Sequence, residues 1–129
     1  TNRLRFRTNA SYVYTRDVKA DTSLPMIPPA HGMTSLSYMA GNVLETSLQM
    51  EWAATQHELA ANETATQGYV IFNYRINSMP VYVKNIYLQA FAGVDNILDK
   101  AYKNHLFNNR GLNFYEPGRN VFIKLKLGW

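Results

Sequence analysis

The C-terminal segment 120–129 alternates strictly between two kinds of side chain. One set is apolar and ends on the last residue of the chain: Val121, Ile123, Leu125, Leu127 and Trp129. The interleaved set consists of Asn120, Phe122, Lys124, Lys126 and Gly128. Side chains two residues apart share one face of a β-strand, and a tilted strand of about 10 residues can cross a bilayer. The segment is therefore predicted to be a membrane-spanning strand with a lipid-facing and a water-facing side.

Length and apolar content restrict how this chain could enter a membrane. Its 129 residues are enough for one domain. The sequence has no run of about 18 apolar residues, so membrane crossing is expected through strands and not through a helix. It also lacks an initiating Met and a charged and apolar leader, which indicates a removed signal peptide or, as we expect, a piece of a longer chain.

Composition narrows the compartment and the partners. The absence of cysteine is compatible with an oxidising periplasm or cell surface. Aromatic residues make up 13% of the chain, as expected for rings at membrane interfaces, although a soluble β-sandwich or ligand-binding barrel can be equally aromatic. The net charge of +4 permits attraction to anionic lipopolysaccharide or to an anionic ligand. No basic cluster with interleaved aromatics indicates a nucleic-acid partner.

Alternation and β-propensity predict six strands in all. They cover residues 3–15, 31–39, 44–55, 69–76, 86–94 and 120–129. In the first, a slip by one residue would turn Arg3, Arg5 and Arg7 toward lipid at about 2–4 kcal/mol each near the midplane, so the pattern fixes the register. Segment 44–55 is rich in helix-forming residues, but its unbroken period of two favours a strand.

The connections between these strands alternate in length. Residues 16–30, 56–68 and 95–119 form long connections, whereas those near 40–43 and 77–84 are shorter. Long extracellular loops and short periplasmic turns are typical of outer-membrane barrels, so the long connections are expected outside and the C-terminus in the periplasm. Six strands cannot close around a lumen, because single-chain bacterial barrels have about 8 strands or more. The fold is therefore expected to be all-β, an antiparallel segment of a larger transmembrane barrel.

Two motifs around the last long connection carry a family resemblance. The first is the stretch Gly93-Val94-Asp95-Asn96-Ile97-Leu98-Asp99-Lys100-Ala101-Tyr102, and the second is Glu116-Pro117-Gly118-Arg119-Asn120. Together with the prolines of segment 24–29 and with segment 63–69, they resemble the C-terminal end of TonB-dependent outer-membrane receptors. The family usually has Leu-Phe where this chain has Ile97-Leu98, a conservative change.

The resemblance implies a fold, partners and a location. Residues 1–129 would be the C-terminal portion of a TonB-dependent receptor barrel, supplying the last six strands of a 22-stranded barrel with a plugged lumen. The plug domain and the segment that contacts the TonB complex would lie outside this chain. The last strand would direct the chain to the barrel-assembly machinery, through Val121, Ile123, Leu125, Leu127 and Trp129.

Elementary chemistry gives reasons for the motif residues. Asp95 and Asn96 follow a strand, where their side chains accept hydrogen bonds from backbone donors and tolerate turn geometry. Pro117 and Gly118 set the turn into the last strand, and Arg119 lies near the rim. Loop packing is the alternative role for Arg119, as it is for Asp99 and Tyr102.

Several residues of the long connections are candidates for binding a transported ligand. They are His57, Glu58, Glu63, Tyr102, His105 and Arg110. The resemblance includes a branch that handles metal ions or complexes such as zinc, copper or haem, and imidazole with carboxylates suits zinc or copper. His105 and His57 are the metal-ligand candidates, with a merely polar loop role as the alternative. His31 is expected to be structural.

A cationic row is predicted on the water-facing side of the strands. It consists of Arg3, Arg5, Arg7, Arg75, Lys124 and Lys126. This row could attract an anionic ferric chelate or simply form a polar lumen wall.

No enzymatic motif is present, and no resident cofactor is expected. Glu45 and Glu51 share a face but stand roughly 20 Å apart by strand rise, too far for a glycosidase pair. The leading hypothesis is energised outer-membrane uptake of a metal ion, siderophore or haem. The alternatives are a passive porin or structural barrel and a soluble β-barrel that binds a ligand.

Overall fold

The computed structural model describes residues 3–19, 21–61, 63–108 and 114–129, and it confirms all six predicted strands. Within these ranges there are nine strands and one helical turn. They are β1 Leu4–Ser11, β2 Arg16–Asp17, β3 Thr22–Ser23, β4 His31–Ala40, β5 Leu44–Ala53, β6 Tyr69–Ser78, β7 Val81–Val83, β8 Ile86–Asp95, α1 His105–Asn108 and β9 Asn120–Gly128. The ligand candidate Arg110 lies outside the described residues.

Strand β1 is shorter than predicted, since it ends at Ser11 and not at residue 15. Its ladder with β4 stops where Ser11 pairs with His31. The partner strand cannot continue beyond this point, because Pro28 and Pro29 precede it closely and proline has no N–H to donate. The alternating pattern of residues 12–15 therefore has no strand to pair with.

The six long strands form an antiparallel meander in which each strand pairs with the next long strand along the chain. Their order is β1-β4-β5-β6-β8-β9. The short strand β7 pairs with β8 within the turn that follows β6, and β2 pairs with β3 as a separate hairpin in the first long connection. Up-and-down order with short hairpin turns is the arrangement of an antiparallel barrel wall.

The register aligns the apolar face across all six long strands. One cross-strand row consists of Phe6, Leu36, Leu48, Tyr74, Val94 and Val121. Phe6 is 64% exposed and Val121 is 69% exposed, so the protein itself covers little of this face. Among the described residues, the buried hydrophobic side chains are only those of Ala53 and Ile71. A soluble sheet of this size usually buries its apolar face against another layer, and in the described residues this face is largely uncovered.

The opposite face is polar and internally paired. Arg75 forms an ion pair with Asp95, and its guanidinium lies 5.0 Å from the centroid of the Phe122 ring. The ring lies across Gly93, where a Cβ atom would come within 2.7 Å of it. Arg5 pairs with Glu45 at 3.5 Å. Part of the predicted cationic row is thus neutralised within the sheet.

The described parts of all three long connections lie at the same end of the sheet. Residues 12–30, 54–68 and 96–119 are called the first, second and third loops below. The turns 41–43 and 79–85 lie at the opposite end. In the described part of the chain, no helix has the length and apolar character needed to cross a membrane.

Candidate functional site

The first and second loops are joined by hydrogen bonds around Gln56. Its backbone N–H donates to the carbonyl of Thr66 at 3.0 Å, which closes the second loop on itself. Its side-chain Nε2 donates to the carbonyl of Ile27 in the first loop at 2.9 Å. Both Gln56 and Thr66 are buried, so these bonds are sheltered from water.

Glu63 binds backbone groups of two loops. One carboxylate oxygen accepts the N–H of Met26 at 2.6 Å, and the other accepts the N–H of Ala60 at 2.9 Å. A carboxylate that accepts backbone donors makes strong, charge-assisted bonds. Glu63, a ligand candidate from the sequence, therefore fixes the first loop against the second.

The other two ligand candidates of the second loop, Glu58 and His57, lie at the surface. Glu58 is exposed and accepts a hydrogen bond from the hydroxyl of Ser23 at 3.3 Å. His57 is also exposed. The ligand roles of both residues stay predictions.

His105 joins the third loop to the second. It begins the single helical turn α1, whose N–H at Leu106 donates to the side chain of Asn104 at 3.0 Å. The imidazole is only 3% exposed, and its Nδ1 lies 2.9 Å from the hydroxyl of Thr66. Burial lowers the pKa of His105, and the negative charge of Glu63 opposes that shift. His105 is thus kept neutral at the centre of the loop cluster.

The first motif is organised around Asn96, which is 2% exposed. Its side chain donates to the carbonyls of Lys100 and Pro117 at 2.9 and 3.4 Å and accepts the N–H of Lys100 at 2.9 Å. Its own N–H donates to the side chain of Asn73 on β6 at 2.9 Å. The backbone has φ of 49°, a value that Asn tolerates better than most residues. Asn96 therefore ties both ends of the third loop to the sheet.

The second motif closes against Asp99. The N–H of Arg119 donates to Oδ1 of Asp99 at 2.8 Å. A Cβ atom at Gly118 would lie 2.7 Å from that same oxygen, so a side chain here would push the Asp99 carboxylate away from the Arg119 N–H. The turn role of Pro117 and Gly118 stays a prediction.

Tyr102 packs at the base of the third loop. Its ring centroid lies 4.3 Å from that of Tyr69, the first residue of β6, and its carbonyl accepts the N–H of Glu116 at 2.9 Å. Burial, followed by the negative charge of Glu116, raises the pKa of Tyr102 to about 12. The phenol thus remains neutral at physiological pH.

An open cleft of about 610 Å³ lies where the three loops meet the polar face of the sheet. Its chemically distinctive lining residues are His31, Met33, Glu51, Tyr69, Lys103 and His105. Of the ligand candidates in the described ranges, His105 alone lines this cleft. Sequence reasoning did not select Met33 or Lys103. The alternating pattern contained the needed signal for Met33, because residue 33 lies on the face opposite Leu36 and near the strand end that meets the long loops.

The described residues contain no group of three His, Cys, Asp or Glu side chains arranged to hold a metal ion. The metal-ligand roles predicted for His57 and His105 therefore stay predictions.

The chain resembles known proteins in its structure. No family model matches the chain, and no curated protein matches it. Among solved structures, the copper transporter OprC matches 97% of this chain with a TM-score of 0.80 and 24% sequence identity. The chain spans 21% of the length of that protein.

This match confirms the all-β, antiparallel fold expected from the strand pattern. The matched protein is a transporter and not an enzyme. The likeness extends over nearly the whole of this chain and over a limited part of the larger protein. The chain shares the fold of the part of that transporter that it matches, an all-β antiparallel sheet.

Proposed function

We propose that this chain is part of an outer-membrane transporter for energised uptake of a metal ion or metal complex. The observation that carries the proposal is the structural match to a copper transporter over 97% of the chain. The exposed apolar face supports it, because a barrel wall in lipid needs an apolar exterior. The loop cluster supports it too, because a transported ligand must bind at the loop end of the barrel before it can cross the membrane.

The proposal includes a topology. The apolar face contacts outer-membrane lipid, and the three loops, next to lipopolysaccharide, face the outside. The C-terminus of β9 then lies in the periplasm. Closure without exposed sheet edges requires further strands beyond β1 and β9, and we assign these six long strands to the end of a 22-stranded barrel. The plug and the contact with the TonB complex belong to other parts of the protein.

Uptake measurements in the host test the transport proposal. Deleting the gene that encodes this chain should lower accumulation of a supplied metal, and copper is the first metal to try. Removing TonB should lower accumulation to the same level, because the transport step draws its energy from the inner membrane. Accumulation that survives the loss of TonB would instead assign a passive porin. A product found only in soluble fractions would assign a soluble binder.

The chemical form of the cargo is part of the same measurement. We propose a metal ion or a metal complex as the cargo, and a ferric siderophore and haem are candidate complexes of that class. Competition between labelled copper, zinc, a ferric chelate and haem during uptake identifies the class that the transporter accepts. If none of these compounds is taken up through the protein and none competes with another for uptake, the result would contradict metal transport.

Strand β9 is proposed to act as the assembly signal through its apolar residues. Trp129 is 98% exposed and alternates in phase with Val121, Ile123, Leu125 and Leu127. Changing Trp129 to Asp should reduce the amount of full-length protein in the outer membrane several-fold, because the terminal aromatic marks the strand for the assembly machinery. Lys126→Gln, on the polar face of the same strand, is the matched control. Equal membrane levels of both variants would remove Trp129 from this role.

A further inference from the structure

We propose that His31 and Met33 form a binding site for a soft monovalent metal ion, Cu(I), at the loop end of the sheet. The inference rests on the proposed function, because it assigns to one part of the transporter the metal species that passes there. It differs from the predicted ligand roles of His57 and His105, which involve loop residues and carboxylates.

The two side chains share a face and a cleft. Residues two apart on a strand project to the same side and lie about 7 Å apart along it. His31 and Met33 both line the 610 Å³ cleft between the loops and the sheet. They are the first and third residues of β4, directly after the first loop. An ion that enters between the loops first meets the polar face of the sheet at this position.

The hydrogen bond of His31 selects the ring nitrogen that can bind metal. Nδ1 lies 2.9 Å from the carbonyl oxygen of Pro29. A carbonyl oxygen can only accept, so Nδ1 carries the proton and Nε2 carries the lone pair in the neutral ring. Metal-binding histidines commonly donate their second N–H to a backbone carbonyl, which fixes both the tautomer and the ring orientation. His31 therefore has the second-shell partner that a ligand histidine needs.

Met33 supplies the softness that makes the site selective. Its backbone N–H donates to the side chain of Asn9 at 3.1 Å, which anchors this part of β4 to β1. A thioether is a neutral, polarizable ligand that favours Cu(I), and imidazole also binds copper well. Zn²⁺ in structural sites takes four ligands that are mostly thiolate, imidazole or carboxylate, and a thioether adds little for it. The pair thus favours Cu(I) over Zn²⁺.

The charges around the pair are compatible with a cation. Glu51 is the register partner of Met33 across β4 and β5 and lines the same cleft. Its carboxylate accepts a hydrogen bond from Asn73 at 2.7 Å, which holds the negative charge in place. Lys103 also lines the cleft. Its ammonium lies 4.9 Å from the centroid of the Tyr115 ring, and this cation–π interaction stabilises its charge.

Two neutral protein ligands make this a transit site. A metal ion that must move on needs a site strong enough to select it and weak enough to release it. Imidazole and thioether from neighbouring positions of one strand provide two bonds and no closed cage. The two ligands leave the other coordination positions of the ion to water or to the next carrier group.

Binding of Cu(I) to the full-length protein tests the inference. The protein is purified from outer membranes in detergent, and Cu(I) is titrated without oxygen against a coloured Cu(I) chelator. Met33→Leu and His31→Gln should each weaken Cu(I) binding at this site by more than about tenfold, since loss of a ligand exceeds the effect of losing its second-shell partner. Met33→Leu should leave Zn²⁺ binding unchanged. Met50→Leu, on the apolar face of β5, should bind Cu(I) like the unmodified protein.

The outcomes separate this site from the transport proposal. Leu and Met have similar volumes, so Met33→Leu is expected to fold, and its level in the membrane confirms that. Unchanged Cu(I) affinity in both Met33→Leu and His31→Gln overturns the site, even where copper uptake depends on TonB. Weakened binding in both variants supports the site, even where the host accumulates no copper through this protein and the transport proposal fails. An equal loss of Cu(I) affinity in Met50→Leu also overturns it, because the loss then does not depend on where the methionine lies.

Discussion

Replacing Leu48 by Arg should destabilise the folded barrel by about 2–4 kcal/mol in a bilayer, the cost of a cation near the membrane midplane on the lipid-facing side. Leu48 lies in the middle of β5, and its register partners on the apolar face are Leu36 and Tyr74. A guanidinium at this position has neither water nor an anionic partner within the row. The expected loss is a substantial fraction of the usual stability of a protein domain, about 5–15 kcal/mol.

The measurement is denaturant unfolding of the full-length protein reconstituted in vesicles. Gln49→Arg is the matched control, because the next residue along the same strand faces the other side, between Ser35 and Asn73. It should cost less than about 1 kcal/mol, since a polar face accepts a cation. Equal losses for Leu48→Arg and Gln49→Arg would contradict a lipid-facing role for the apolar side and favour the soluble alternative.

The faces of the sheet could be predicted because period-two alternation is a local property. Residues such as Leu48 and Gln49 are adjacent in sequence and opposite in space, and one misplaced residue would turn a whole strand inside out. That constraint is strong where one side meets lipid. It explains why all six long strands were recognised from sequence and why the apolar residues fall into continuous rows.

The details of strand ends and loops could not be predicted in the same way. Strand β1 stops at Ser11 because Pro28 and Pro29 limit its partner, a restriction that its own sequence does not contain. His105 looked like a surface ligand candidate, yet its imidazole is buried against Thr66, 39 residues away in the chain. Both features depend on contacts between distant segments, which alternation within one strand does not encode.

The polar lining of the cleft shows the same limit. The pattern placed Glu51 on the same face as Glu45, but only the register of β4 against β5 makes Met33 its neighbour. Their shared position under the third loop depends on how residues 103–106 fold back over the sheet. Recognition of the site therefore required the folded chain.

The second large effect is expected at Asn96. Replacing it by Ala removes a buried side chain that bonds the backbone of Lys100 twice and that of Pro117 once. The N–H of Lys100 and the carbonyls of Lys100 and Pro117 then lose this partner. The alanine must also keep the backbone φ near 49°, with no side-chain hydrogen bonds to stabilise it. We expect a loss of roughly 2–4 kcal/mol, because each of the three part-buried hydrogen bonds contributes about 0.5–1.5 kcal/mol and alanine accepts a left-handed φ at a cost of about 1–2 kcal/mol.

Two variants divide this loss into its causes. Asn96→Gly removes the same hydrogen bonds but accepts the positive φ, so it should cost about 1 kcal/mol less than Asn96→Ala. Lys84→Ala is the control, because Lys84 also has a positive φ, of 55°, but is exposed in the turn at the opposite end of the sheet. Unfolding in vesicles gives the free energies, and hydrogen exchange at the Lys100 and Arg119 amides shows whether the third loop opens first. Equal stability of Asn96→Ala and the Lys84→Ala control would mean that the bonds of Asn96 do not hold the loop. A loss confined to the third loop, with the sheet intact, would identify Asn96 as the residue that keeps the loops closed over the cleft.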